Sequence, residues 1–282
     1  MKQAQKLMVF VLSMAVFGLS DLVTELIPDV EIGPVEIGIP YFGFVALVLV
    51  MLFNPLYAAL GAAFGELVFG DLLMGDFGGL GEIDGFLVLF LGLCVAGLLV
   101  RDPSNRKQII VAGLIGIGID QALSGALDVM KVAFGIEEFE AVEGLPESII
   151  VLELIENGIE WLVSGVLFGI IPALYMVPRM HGKIEPLMGI RPRKPQDVSL
   201  VGAGVAVAIT AIIVIGLSVA FSLMSAAMDD PGEWAPDFVD QFGKGFIWGG
   251  IGLAALVALL IFILMRRSNK RNPIAGAKTT HG

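Results

Sequence analysis

The chain has 282 residues, 56% of them hydrophobic and only 16% charged, with a mean hydropathy of +0.88. Such values exclude an ordinary soluble domain, in which about a quarter of residues are charged. The 17 basic and 28 acidic residues give a net charge of −11, which argues against a nucleic-acid partner, because phosphates require a basic surface.

Long apolar runs separated by charged or Pro/Gly-bearing breaks predict an all-α, polytopic membrane helix bundle of about eight spans. In chain order these are Leu7–Ile27, Gly38–Phe53, Leu56–Met74, Gly85–Val100, Ile109–Phe134, Ser148–Val177, Val198–Met228 and Phe242–Met265. The first span follows Lys2 and Lys6 but lacks a small-residue cleavage pattern, so it is expected to be retained. The second is short: it crosses steeply, or the chain after Pro40 starts deep in the membrane. Asn54–Pro55 forms a tight turn before the third span. The stretch Pro178–Asp197, with four prolines and five basic residues, separates six helices from a final pair. The expected organisation is a module over 1–178, a basic linker over 179–197, a helix pair over 198–267 and a tail over 268–282.

Basic residues set orientation in a membrane. With the N-terminus inside, 15 of the 17 Lys and Arg residues fall in inner segments, and only Lys131 and Lys244 fall elsewhere. Of the acids, only Asp102, Glu185 and Asp197 lie in inner loops. An even number of spans places both termini in the cytoplasm of a cell-membrane protein.

Ionisable groups at membrane depth are functional candidates, because burying them in lipid is costly. Glu66 lies about ten residues past the Asn54–Pro55 turn, roughly 15 Å deep at helical rise, with Asp71 beyond it. The fifth span carries Asp120, Ser124, Asp128 and Lys131 on one helical face, with Gln121 beside it. Glu153, Glu156, Asn157, Glu160, Trp161 and Ser164 lie close to one face of the sixth, and Asp21, Thr24 and Glu25 mark the first. The sixth span is long enough for Glu153 and Glu156 to stand in external water, and Asp21, Glu25, Asp71 and Asp128 also lie near the outer boundary. These stripes agree in depth and predict a shared polar cavity opening outwards. Its expected substrate-binding residues are Glu66, Asp120, Gln121, Asn157 and Glu160, with Trp161 stacking on a ring or covering an apolar part of the ligand. Small-residue pairs such as Gly61/Gly65 and Gly165/Gly169 predict close helix packing.

No phosphate-loop motif and no His-Glu-x-x-His helix occurs in the sequence, so ATPase and zinc-hydrolase chemistry are not expected. His181 falls inside and His281 in the tail, and Cys94 is the lone cysteine. Neither an enzyme nor a resident metal or cofactor is expected.

The run from Tyr41 through Asn54–Pro55 to Glu66 and Asp71 resembles the substrate-binding membrane subunits (S components) of energy-coupling factor (ECF) transporters. An apolar helix, a short Pro-bearing turn and a Gly/Ala-rich helix with late acids carry the likeness, over about residues 5–178. The resemblance implies capture of a vitamin, a precursor or a cation from outside. Uptake would be energised by separate ATPase subunits through a membrane coupling protein. Two features depart from that pattern: a first-helix Ala-x-x-x-Ala pair is missing, and two helices are added. The last pair, whose few polar side chains include Thr210, Ser218, Ser222 and Ser225, reads as scaffold or an oligomer contact. A proton- or sodium-coupled secondary transporter using Glu66 and Asp120, and a non-transporting membrane assembly protein, are the alternatives.

Overall fold

A computed structural model describes residues 2–24, 27, 30–32, 35–37, 39, 41–75, 77–79, 82–134, 148–194 and 200–228, with scattered positions from 234 to 263. Among the described residues the chain is mainly helical, and five helices are long and apolar enough to cross a membrane. The eighth expected span falls almost wholly outside the described residues, as do Glu25 and the C-terminal tail.

Helix α1 (Gln3–Thr24) is followed by a two-stranded antiparallel ribbon, β1 (Val30–Ile32) and β2 (Val35–Ile37), in the register Val30↔Ile37. The ribbon is a local feature between helices and leaves the all-α class unchanged. Its sequence signal is the repeated Val-Glu-Ile on either side of Gly33 and Pro34, short alternating runs flanking turn-forming residue types.

Helix α2 (Gly43–Leu52) has ten residues, so it rises only about 15 Å. By length alone it does not cross a bilayer, whose apolar core needs about 20 helical residues. Helix α3 runs over Pro55–Gly65 and continues as π-helical turns over Glu66–Leu72. Asn54 caps it by accepting from the Tyr57 amide, and Pro55 occupies its first turn, where a missing N–H costs nothing. Helix α4 (Glu82–Leu99) is joined to α5 (Arg106–Ala133) by a short turn in which Asn105 accepts from the Lys107 and Gln108 amides. Helix α6 (Ile149–Met180) becomes π-helical over Trp161–Ile170, and α7 covers Leu200–Met228.

The core centres on α2, which is apolar all round and buried throughout Ala46–Leu52. It packs against α1, α3, α4 and α6, as a helix without a polar face must. In lipid, helices associate through close packing rather than through a hydrophobic driving force. Gly61 and Gly65 bring α3 onto the α1 backbone, and a Cβ at Gly65 would stand 2.5 Å from the Met14 carbonyl oxygen. Gly92 and Gly116 do the same for α4 and α5, since a Cβ at Gly92 would stand 2.5 Å from the Gly116 carbonyl oxygen.

Helix α7 packs on α4 through a stripe of Val214, Ser218, Ser222 and Ser225, all buried. Ser222 donates to Asp84 Oδ2 at 2.9 Å. Asp84 also pairs with Lys131 at 3.3 Å, and Lys131 with Asp128 at 3.1 Å. The three serines therefore form the face that joins α7 to the rest of the bundle, while Ile209, Ile212 and Ile213 on other faces are exposed.

The start of α1, the end of α2, the start of α3, the end of α4 and the segment after α6 meet at one end of the bundle. Gln5 Nε2 donates to the Gly189 carbonyl at 2.6 Å there. Arg193 gathers the ends of α2 and α4, donating from Nη1 to the Gly97 and Val100 carbonyls at 2.7 Å and from Nη2 to the Val50 and Phe53 carbonyls. A cation at two helix C-termini opposes both macrodipoles. Burial lowers the Arg193 pKa to about 10, with Glu185 acting in the other direction. Residues 181–193 are thus folded onto the bundle: Glu185 is fully buried, accepting from the Gly182 amide and bonding His181 Nδ1, both at 2.8 Å.

Candidate functional site

Towards the opposite end, four helices and Tyr41, two residues before α2, border a cavity of about 190 Å³. Its wall holds Glu66 and Asp71 from the π-helical part of α3, Glu82 from α4, Asp120, Gln121 and Ser124 from α5, and Glu160 from α6. Tyr41, Phe86 and Leu89 are among its other lining residues. Exposure falls from an exposed Glu82, through half-buried Asp71 and Glu66, to buried Asp120, Gln121 and Tyr41. That gradient places the mouth at Glu82 and the floor at Asp120.

Helical spacing explains how α5 reaches the floor: Asp120 and Ser124 are four apart on one face. The face then divides, because Lys131 pairs with Asp84 and holds Asp128 beside it. Gly92 and Gly116 let α4 approach α5 beside Asp120, whose Cβ is 3.0 Å from where a Gly92 Cβ would lie. The π-helical segments of α3 and α6 begin at Glu66 and Trp161, next to the acids each helix gives to the cavity. Such widened turns occur often at functional sites.

Tyr41 Oη donates to Asp120 Oδ2 at 2.9 Å, and Gln121 interacts with both Tyr41 and Glu160. The Gln121 carbonyl oxygen Oε1 is buried with no hydrogen-bond partner among the described residues. A buried acceptor left unpaired is costly, so a donor from a bound molecule would complete it. Asp21, Asp71, Glu82 and Asp120 lie within electrostatic reach of Glu66. No Lys, Arg or His is among the lining residues. Walls of one sign focus the field and concentrate the opposite charge. Among the described residues, no group of three or more His, Cys, Asp or Glu side chains is arranged to hold a metal ion.

Of the six expected site residues, Glu66, Asp120, Gln121 and Glu160 come together in this cavity. Asn157 and Trp161 are not among its lining residues. Asn157 Nδ2 donates to the Glu153 carbonyl and to Glu153 Oε2, both at 2.9 Å. Trp161 Nε1 donates to the Leu114 carbonyl at 3.4 Å, and its ring packs against the core. Of the residues near the outer boundary, Glu156 is exposed, whereas Asp21 is buried against α3 with its Oδ2 2.6 Å from where a Gly70 Cβ would lie. Tyr41 was not among the expected site residues; its only sequence signal is a hydroxyl at the start of an apolar run. Phe77, in the loop leading to Glu82, exchanges backbone hydrogen bonds with Trp234 at 2.8 and 3.2 Å. Trp234 therefore lies against the loop beside the mouth.

A protein-family model, described as a family of unknown function (DUF8171), matches residues 8–273. The chain belongs to this family. The match runs from within α1 through α7 and on to residue 273. No curated protein and no solved structure matches the chain.

Proposed function

We propose that this DUF8171 member is a multi-pass cell-membrane protein that captures a small cationic solute from outside. Both termini lie in the cytoplasm, and the chain serves as the non-enzymatic substrate-binding subunit of an ECF-type uptake system energised by separate ATPases. The observation that carries the proposal is the cavity itself, with five carboxylates, no basic residue and an unpaired Gln121 acceptor at its floor.

Size narrows the ligand. Pockets for drug-sized molecules measure about 300–1,000 Å³, whereas this cavity measures about 190 Å³. That size favours a small cation over a larger solute such as a vitamin. Orientation rests on the basic end around Lys2, Arg191 and Arg193, which the positive-inside rule places in the cytoplasm. The cavity then faces outwards.

The alternative of an ion-coupled secondary transporter would favour two equivalent halves related by an inverted repeat. Here α1 packs mainly on α3 while α4 packs mainly on α5, so the three-helix halves differ. The distinguishing experiment is affinity purification of the full chain from its native membrane. Co-purifying ATPases and a coupling protein are the expected result. Proton- or sodium-driven cation uptake by the chain alone in sealed vesicles would refute the capture-subunit reading.

A further inference from the structure

A second cavity, of about 580 Å³, lies at the basic end of the bundle. Its polar lining comprises Lys2, Gln5, Asn54, Arg191 and Arg193, and no Asp or Glu is among the lining residues. The volume lies within the range of ligand sites and is about three times that of the acidic cavity.

The charges here divide into two roles. Arg193 is committed to the four carbonyls at the ends of α2 and α4, and so offsets the negative ends of two helices. Lys2 and Arg191 are exposed, and neither side chain has an ion-pair partner among the described residues. The starts of α1 and α3 border the same space through Gln5, Asn54 and Pro55, adding the positive ends of two helix dipoles. Leu52, Phe53, Leu98 and Ile190 supply an apolar wall beside these groups.

We propose that this cavity binds a phosphoryl anion, with Lys2 and Arg191 contacting its oxygens and the Leu52–Phe53 wall receiving the attached apolar portion. The phosphate belongs either to an anionic phospholipid headgroup or to a soluble phosphate ester; both present the same chemistry to these residues. A general basic rim explains the orientation of the protein, but it requires neither a concave space nor an apolar wall next to the charges. The proposal is independent of what the acidic cavity binds.

The test uses the full chain, purified and delipidated in a neutral detergent. Thermal unfolding is followed during titration with sodium phosphate, and separately with micelles containing phosphatidylglycerol or only phosphatidylcholine. Stabilisation by phosphatidylglycerol alone identifies a lipid headgroup, and stabilisation by inorganic phosphate as well identifies a free phosphate site. Binding should weaken at least tenfold in the Lys2→Gln, Arg191→Gln double variant, given about 1 kcal/mol per basic residue near an anionic surface. It should be unchanged in Arg179→Gln, whose guanidinium lies over the Tyr175 ring at 3.2 Å and outside the cavity lining. Stabilisation by neither ligand, or equal weakening in Arg179→Gln, would overturn the proposal. Circular dichroism of each variant separates lost binding from lost folding.

Discussion

Replacing Arg193 with Met removes a charge from the junction of α2, α4 and the segment after α6 while keeping an apolar stem. Four carbonyls lose a donor, but not all to the same degree. Phe53 lines the 580 Å³ cavity, and water can replace the guanidinium at helix ends bordering that space. The Val50 carbonyl is enclosed: a Cβ at Gly97 would stand 2.6 Å from its oxygen, leaving no room for water between the helices. Val100 is fully buried and does not line that cavity, so its carbonyl is enclosed as well. Two orphaned acceptors at about 1–3 kcal/mol each give an expected loss of about 4 kcal/mol. For a chain of this size that corresponds to a fall in apparent Tm of roughly 8 °C or more. Lys, a point charge without the planar fork, should recover about half. The folded pKa, lowered by burial to about 10, lies below the ordinary guanidinium value, so the unfolded chain holds the extra proton only between the two. The Arg193-dependent stability is therefore flat below about pH 9. Thermal unfolding of wild type, Arg193→Met and Arg193→Lys between pH 6 and 8 measures these differences. A loss below about 1 kcal/mol in Arg193→Met would refute the capping role.

Gly65→Val should disrupt the α1–α3 contact and cost about 3 kcal/mol by overpacking, whereas Gly158→Ala, with nothing within 4 Å of the added Cβ, should be neutral or stabilise by about 0.5 kcal/mol; paired unfolding curves compare them. Lys131→Met leaves Asp84 buried without its cation and should cost about 3–5 kcal/mol. Ser222→Ala should cost about 1 kcal/mol, and limited proteolysis of α7 should rank both variants in that order. Tyr41→Phe removes the hydrogen bond that buried Asp120 accepts and should cost about 1–2 kcal/mol of stability; cation affinity, measured by calorimetric titration, should change several-fold.

Legibility in the sequence followed what is local to one helix. Depth and face are set by rise and periodicity, so Glu66, Asp120, Gln121 and Glu160 could be placed together before any contact was visible. Partner choice is not local. Asp128 and Lys131 share the Asp120 face by spacing, yet Lys131 pairs with Asp84 and holds Asp128 beside it. Arg193 reads as one more inner basic residue until the α2 and α4 carbonyls converge on it. Trp161 has the residue type of a ligand platform, but its N–H is drawn to the Leu114 carbonyl on α5. Gly92 and Gly116 are far apart in sequence, so only the crossing of α4 and α5 reveals them as a pair. The Val-Glu-Ile repeats are too short to register beside the long apolar runs that dominate the chain.

The central claim is that the acidic cavity holds a small cation. It is tested most directly by calorimetric titration of the purified full chain with ammonium, methylammonium, sodium and magnesium salts, alongside Glu66→Gln, Asp120→Asn and the exposed control Glu156→Gln. The account predicts saturable binding of at least one of these cations, weakened at least tenfold by Glu66→Gln or Asp120→Asn, a loss of about 1.4 kcal/mol or more, and unaffected by Glu156→Gln. Binding of none of them, or binding indifferent to Glu66 and Asp120, would contradict it.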